Sequence, residues 1–230
     1  MSGSPVPGAR PLHGRVGLVT GSTSGIGWAI ASGLAEAGAD VMLNGFWNIA
    51  DGPARGLSLA ERGGVRGAHS GAEVARMVAD TEARFGRLDV LVNNAGIQHV
   101  AAIDEMPGDR WDAILAINLS SNFHAIKAAL PGMKGRGWGR IVNIASAHGL
   151  VASPFKSAYV AAKQGVVGLT KAVALVLAET AITCKAVCPG FVRTALVEAQ
   201  IAALVLFLCS EQAASITGAA LPVDGTWTAR

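Results

Sequence analysis

The side chains best suited to chemistry in this sequence are a tyrosine and a lysine four residues apart. Tyr159 and Lys163 follow Ser146 by thirteen and seventeen residues. Four residues are about one helical turn, so on a helix the phenol and the ammonium share one face. A free tyrosine has a pKa near about 10, and a close positive charge lowers that pKa because it favours the phenolate. The pair therefore predicts a proton donor and acceptor tuned towards neutral pH.

A glycine-rich turn, TGSTSGIG at residues 20–27, joins a predicted strand to a predicted helix. Glycines at this point allow a tight turn and let the backbone approach a pyrophosphate, which then rests on the N-terminus of the helix. The same turn could be a helix entry without a ligand. Its position at the start of a βαβ unit favours a dinucleotide site.

Short apolar segments alternate with helical patterns along the whole chain. Strands are predicted over residues 15–20, 40–44, 88–93, 139–144, 182–188 and 220–223, and helices over 28–37, 73–85, 111–129, 157–179 and 201–210. This alternation predicts an α/β fold with a doubly wound parallel sheet. Residues 1–13 are predicted to be a flexible tail, and residues 14–230 a single domain.

The composition agrees with such a domain and argues against some classes of binding partner. The 230 residues are 51% hydrophobic and 15% charged, as expected for a buried parallel sheet. A net charge of +3 without a basic stripe gives nucleic-acid binding little support. Residues 1–11 lack the apolar core of a signal peptide, and the apolar run 202–209 is too short to span a membrane. We expect a soluble, cytoplasmic protein that does not bind membranes.

The three cysteines do not indicate a metal site or a disulfide. Cys184, Cys188 and Cys209 lie in apolar surroundings, and no Cys/His set has the spacing of zinc ligands. We expect reduced thiols in the core and no bound metal.

Four motifs in order resemble the short-chain dehydrogenase/reductases: the turn at 20–27, NNAG at 93–96, Ser146, and the Tyr159–Lys163 pair. The runs NAGIQHV at 94–100 and IASAHGLVASPFKSAY at 144–159 are similar to the bacterial D-3-hydroxybutyrate dehydrogenase subgroup. The resemblance implies a Rossmann-like fold and the reversible, NAD-dependent oxidation of D-3-hydroxybutyrate to acetoacetate. It also implies a homo-oligomer, usually a tetramer in this family.

The resemblance also implies catalytic roles. Tyr159 would take the hydroxyl proton, Lys163 would lower the pKa of Tyr159 and bind the nicotinamide ribose, and Ser146 would hold the substrate oxygen. Asn118 matches an asparagine that positions a proton-relay water, although by itself it could be a plain polar residue of a helix. The implied cofactor-binding residues are Gly21, Thr23, Ser24, Gly25, Ile26, Gly27, Asn94, Ala95, Gly96, Tyr159, Lys163, Pro189, Gly190 and Val192.

A small hydroxy acid needs donors for its carboxylate. The resemblance implies that Gln98, His148, Lys156 and Gln200 supply them, beside Ser146 and Tyr159, with Phe191 where the subgroup has a tryptophan. Alone, Lys156 would be taken for a surface lysine and His148 for a loop histidine. Their grouping with Ser146 and Tyr159 favours a carboxylate site.

The choice between NAD and NADP depends on the end of the second strand. It reads NGFW at 44–47, without the acid that usually binds the ribose 2′-hydroxyl. A basic residue that would pair with a 2′-phosphate is also missing there and in the glycine-rich turn, which disfavours NADP. Together with the resemblance, this predicts NAD.

The sequence departs from the family at several places. Residues 65–72 are several residues short and lack the aspartate that meets the adenine. After residues 189–201 the chain enters the 202–209 segment without a few dozen residues that form a lid in relatives. Lys185 stands in a buried strand where asparagine is usual, which is costly unless the lysine reaches solvent. Thr226 replaces a glycine.

Three functions remain compatible with these residues. The first is a D-3-hydroxybutyrate dehydrogenase. The second is a short-chain reductase of another alcohol or ketone, with a site opened by the missing lid. The third is a catalytically impaired, dinucleotide-binding subunit or pseudoenzyme.

Overall fold

A parallel sheet forms the centre of the molecule in the computed structural model, which describes residues 10–45, 59–60, 70–191 and 194–229. The strand order is β3-β2-β1-β4-β5-β6-β7, and every pairing is parallel. The strands are β1 Val16–Val19, β2 Asp40–Leu43, β3 Leu59–Ala60, β4 Val90–Asn93, β5 Gly139–Ile144, β6 Ile182–Pro189 and β7 Ala220–Val223. The predicted α/β class with a doubly wound parallel sheet is confirmed.

Helices cover both faces of this sheet. They are α1 Gly25–Glu36, α2 Gly71–Phe85, α3 Gly108–Leu115, α4 Ser121–Arg136, α5 Ser157–Val176 and α6 Ala195–Cys209. One core layer joins α1 and α6 through residues such as Leu34 and Val205. The other joins α2, α4 and α5 through residues such as Val78 and Met133. With both faces covered, the strands are apolar throughout, as parallel strands usually are.

The predicted helix over residues 111–129 is interrupted by a π-helical turn. Helix α3 ends at Leu115, Ala116–Ser120 form the π-helical turn, and α4 follows without a break. A π-helical turn inside an α-helix often accompanies a functional site. Here the turn contains Asn118, one of the predicted site residues.

Helix α6 begins six residues earlier than predicted, at Ala195. Its first turn is capped by the hydroxyl of Thr194, which accepts a hydrogen bond from the N–H of Val197. Ile201 and Val205 are completely buried against α1. In the described residues the chain therefore passes from β6 into one continuous helix, without a separate lid helix.

Lys185 is fully buried in β6 and does not reach solvent. Its Nζ donates a hydrogen bond of 2.6 Å to the carbonyl of Leu208, near the end of α6. Burial, together with the positive charge of the nearby Arg140, lowers the pKa of Lys185 to about 8. The last carbonyls of a helix lack partners within the helix, so the ammonium satisfies one of them.

Several predictions fall on residues whose structure is not described: the tail over 1–9, Phe46 and Trp47 after β2, and the shortened stretch at 65–69. Thr226 is described and has a φ of +73°, a left-handed conformation that favours the glycine of relatives. By length and composition, α5 alone among the described helices could cross a membrane. It packs against β6 and contributes the buried Lys163 to the site described below.

Candidate active site

A cleft of about 280 Å³ lies at the carboxyl ends of β1, β4, β5 and β6. In a doubly wound sheet, the crevice at this edge is where ligands bind. The residues that line it are Ile26, Asn94, Gly96, Ile97, Gln98, Ile144, Ala145, Ser146, Tyr159, Lys163, Pro189 and Gly190. Predicted catalytic, cofactor-binding and substrate-binding residues thus meet in one cavity.

Lys163 is buried beneath the floor of the cleft, and a backbone carbonyl holds its ammonium group. Its Nζ donates a 2.8 Å hydrogen bond to the carbonyl of Ile144, at the end of β5. The same Nζ lies 5.6 Å from the ring centroid of Tyr159, one helical turn earlier on α5. Burial lowers the pKa of Lys163 to about 8. The predicted shared helical face is therefore present.

The pKa of Tyr159 does not follow the simple expectation. Burial raises it above its ordinary value of 10, and a hydrogen bond with the Ser146 hydroxyl opposes that rise. The expected lowering by Lys163 is not among the causes of this shift, and the Lys163 ammonium donates its hydrogen bond to the carbonyl of Ile144. A raised pKa favours the protonated phenol at neutral pH, the form that can act as an acid.

Asn118 binds backbone instead of projecting into solvent. Its side-chain Nδ2 donates to the carbonyl of Ile97, and its Oδ1 accepts from the N–H of Ile97, both at 2.8 Å. A methyl group built on Gly96 would lie 3.4 Å from the Oδ1 of Asn118 and 3.7 Å from the Nζ of Lys163. The π-helical turn thus fixes the wall of the cleft beside the buried lysine.

His148 lies behind Ser146 and is held from several sides. Its backbone N–H donates to the Ser146 hydroxyl at 3.1 Å, and its Nδ1 lies 3.3 Å from the same oxygen. Its Nε2 lies 2.9 Å from the hydroxyl of Ser153, and its ring stands 5.1 Å from that of Trp227. Burial lowers the pKa of His148, and the positive charge of Lys156 lowers it further.

Ser153 and Trp227 were not predicted from the sequence as site residues. Ser153 lies inside the run that carried the resemblance, but its partner could not be read from spacing. Trp227 reaches the site through a C-terminal turn in which the Asp224 carboxylate accepts hydrogen bonds from the N–H groups of Thr226 and Thr228. A turn of this kind gives no periodic signal in the sequence.

Only some of the remaining residues predicted to contact the substrate lie at the cleft. Gln98 lines the cavity, and the charge of Lys156 acts on His148. Phe191 follows Gly190 and is 90% exposed, and Gln200 is exposed on α6 without lining the cavity. Val192 lies outside the described residues.

The glycine-rich turn has the shape that a bound dinucleotide requires. Gly21 and Gly25 have left-handed φ values of +62° and +55°. A methyl group on Gly27 would overlap the carbonyl oxygen of Gly21, so only glycine fits there. The Ser24 side chain makes no capping hydrogen bond, which leaves the first N–H groups of α1 available to an anion. The turn therefore fits the pyrophosphate of a nicotinamide dinucleotide.

A threonine at the end of β1 ties this turn to the loop after β4. The hydroxyl of Thr20 accepts hydrogen bonds from the N–H groups of Asn94 and Ala95. The Asn94 side chain donates in return to the carbonyls of Thr20 and Gly21. The glycine-rich turn and the loop after β4 are thus tied together, and Thr23 and Ser24 lie on the adjoining part of the turn.

Comparison with known proteins finds close relatives. D-beta-hydroxybutyrate dehydrogenase of Rhizobium meliloti is 46% identical over 262 positions, which cover 94% of this chain and 99% of that protein. The enzyme of the same name from Cupriavidus necator is 45% identical, covering 95% of this chain and all of that protein. A 3-oxoacyl acyl-carrier-protein reductase of Salmonella typhimurium is 34% identical, covering 93% of this chain and 97% of that protein.

The first alignment is longer than this chain. Of its 262 positions, at least 32 have no counterpart among 230 residues, so the chain is internally shorter than that relative. The family model for short chain dehydrogenase matches residues 15–204, which span the glycine-rich turn, the cleft and the first two-thirds of α6. With its sheet, its cleft and these relatives, the chain belongs to the short-chain dehydrogenase family.

Proposed function

We propose that this protein is an NAD-dependent D-3-hydroxybutyrate dehydrogenase, which interconverts the hydroxy acid and acetoacetate. The observation that carries the proposal is the single cleft in which Gln98, Ser146, Tyr159 and Lys163 meet, with His148 bonded to Ser146. Two relatives above 40% identity are named D-beta-hydroxybutyrate dehydrogenases. Membership of the family makes the chain an oxidoreductase of a CH–OH group that uses a nicotinamide dinucleotide.

The residues of the cleft would each have a separate role in the reaction. A bound nicotinamide would accept or deliver the hydride. The phenol of Tyr159 gives a proton to the carbonyl oxygen during reduction and takes it back during oxidation. The hydroxyl of Ser146 donates to the same oxygen as its charge grows. Because burial raises the pKa of Tyr159, oxidation should accelerate as the pH rises, since it needs the phenolate.

The carboxylate of the substrate would lie towards Gln98, His148 and Lys156. The lowered pKa of His148 keeps its ring neutral near pH 7, so it offers a hydrogen bond without a charge. Lys156 supplies the positive charge. A neutral ketone would leave that charge without a partner, which favours an acid as substrate.

The choice of NAD rests on the end of β2. Asn44 bonds the buried Ser22 through its backbone, and a methyl group on Gly45 would touch the side chain of Thr23. Among the described residues at this end, none supplies a cation for a 2′-phosphate. We therefore expect NAD to be used in strong preference to NADP.

The test is the formation of NADH from D-3-hydroxybutyrate by the wild-type protein and by Tyr159→Phe. Removing the phenolic oxygen should lower kcat by about a thousandfold or more while KM changes little, because general acid–base catalysis contributes in that range. Tyr159 contributes little hydrogen bonding to the fold, so the melting temperature should be preserved. No NADH formation by a folded wild-type protein at saturating NAD would refute the proposal.

A second function, reduction of a larger ketone, is favoured by the exposed apolar side chains near the cleft. Phe155, just before Lys156, is 60% exposed, and Phe191, just after Gly190, is 90% exposed. A panel of longer and aromatic ketones separates the two functions. Turnover of such ketones without turnover of acetoacetate would select the second. Binding of NAD without any turnover would select the non-enzymatic subunit.

We also propose that the protein forms a homo-oligomer, as a tetramer, through α4 and α5. An apolar groove of about 570 Å³ lies between these helices and is lined by Phe123, Leu169 and Val176, among others. Val176 is 73% exposed in the single chain. A second copy that packs on this groove would cover it. Because the three buried cysteines are unpaired, we expect a reducing compartment, the cytoplasm.

A further inference from the structure

We propose that Glu198 weakens the binding of the dinucleotide, because its carboxylate lies beside the glycine-rich turn proposed to receive the pyrophosphate. This inference rests on the dinucleotide site proposed above and adds a residue that regulates its affinity. Glu198 lies in the first turn of α6 and is half-buried.

The distance that carries the inference joins α6 to the start of α1. A methyl group built on Gly25 would lie 3.7 Å from the Oε1 of Glu198, in van der Waals contact. Gly25 is the first residue of α1, whose first turn contains no acidic residue and whose Ser24 cap makes no side-chain hydrogen bond. The carboxylate is thus the acidic group that faces this helix N-terminus in the described structure.

The position of Glu198 is fixed by its neighbours in the helix. Val197 packs against the core, and Ile201, one turn after Glu198, is completely buried. Further along, a methyl group on Gly33 of α1 would lie 2.7 Å from the side chain of Leu206, so the two helices approach closely. Because α6 is continuous from Ala195 to Cys209, the backbone of Glu198 stays beside the start of α1.

Electrostatics gives the direction of the effect. The partial positive charge at the start of α1 attracts a carboxylate and a phosphate alike. A pyrophosphate bound at this helix N-terminus would meet the negative charge of Glu198. Two like charges several ångströms apart in a partly exposed site repel by roughly 1–3 kcal/mol, equivalent to an about five- to 150-fold loss of affinity.

The test compares wild-type protein with Glu198→Gln, which keeps the shape and removes the charge. Affinities for NADH, ADP and adenosine are measured by calorimetry or fluorescence, without any turnover. We expect Glu198→Gln to bind NADH and ADP about tenfold more tightly and adenosine unchanged, since only the first two carry phosphates. Raising the salt concentration should narrow the difference for NADH, because salt screens the repulsion.

Glu36→Gln is the matched control. Glu36 is the exposed last residue of α1, roughly 16 Å from Gly25 along the helix, and its substitution makes the same change of net charge. It should leave all three affinities unchanged. Thermal unfolding verifies that each variant is folded.

Equal or weaker binding of NADH by folded Glu198→Gln would overturn the inference. A gain shared by adenosine would also overturn it, since the effect would then not act through phosphate charge. Failure of the wild-type protein to bind either NADH or ADP would overturn it together with the dinucleotide site. Failure to oxidise hydroxybutyrate would refute only the proposed substrate and would leave these binding measurements intact.

Discussion

At the scale of single residues, Lys185 is a side chain whose burial costs stability. It is fully buried in the sheet, and its Nζ donates a hydrogen bond to the Leu208 carbonyl. Arg140, equally buried, shares the same region and adds repulsion. Burying an ammonium without a carboxylate partner costs several kcal/mol, which is why its pKa falls instead.

The lowered pKa of Lys185 predicts how stability changes with pH. The unfolded chain keeps the proton up to about 10.5, whereas the folded protein loses it near 8. The unfolded state therefore binds more protons in this window, and the free energy of unfolding should rise as the pH increases from about 8 to 10.5. Lys163, with a similar pKa, contributes to the same rise.

Lys185→Met should remove one part of this rise and increase stability at pH 7. The removed desolvation penalty is worth about 3 kcal/mol, and the unpaired Leu208 carbonyl offsets about 1–2 kcal/mol. We expect a net gain of about 1 kcal/mol at pH 7 and a flatter profile above pH 8, measured by urea unfolding. If Lys185→Met were less stable at pH 7 and kept the same dependence of stability on pH, the burial of Lys185 would not be destabilising.

At the scale of elements, the π-helical turn Ala116–Ser120 positions a side chain that holds the neighbouring loop. It places Asn118 against Ile97, where one amide side chain satisfies both backbone groups of that residue. Ile97 lies between Gly96 and Gln98, which also line the cleft, so the turn stiffens the loop after β4. The side chain of Asn118 is completely buried, so water cannot replace Ile97 as its hydrogen-bond partner.

Asn118→Leu tests that interpretation. The leucine has a similar volume but leaves the N–H and the carbonyl of Ile97 without partners, at about 1–3 kcal/mol each. We expect a loss of about 2–4 kcal/mol in the free energy of unfolding and a lower kcat. Ser120→Ala, an exposed change in the same turn, should stay within about 0.5 kcal/mol of wild type. Equal stability of the two variants would contradict the role given to Asn118.

Prediction from sequence succeeded best for elements with a strong pattern. The predicted bounds of the strands at 139–144 and 220–223 match the structure, because each is a short segment between turn signals. The start of α6 was placed too late, since residues 195–200 lack an apolar stripe and their helix depends on the Thr194 cap and on packing beyond Ile201. The π-helical turn was missed because its signal is a tertiary hydrogen bond.

At the scale of the whole molecule, the sequence motifs predicted which residues meet in the cleft but not their protonation. Spacing alone brought Tyr159 and Lys163 to one face of α5, and the resemblance added Ser146 and Gln98. The direction of the Tyr159 pKa shift depends on burial, which spacing does not contain. Spacing also could not predict that Glu198 lies near Gly25, because this proximity depends on how α6 packs against α1.

The exposed groove between α4 and α5 leads to the last prediction, on assembly. Val176→Arg places a cation beside Lys127 and Lys134, which line the same groove, and should prevent a second copy from covering it. We expect the wild-type protein to elute as a tetramer and this variant as a smaller species, by light scattering. Ile103→Arg, at a residue equally exposed but outside the groove, should leave the assembly unchanged. A monomeric wild-type protein, or a tetrameric Val176→Arg, would mean that the groove is not a subunit interface.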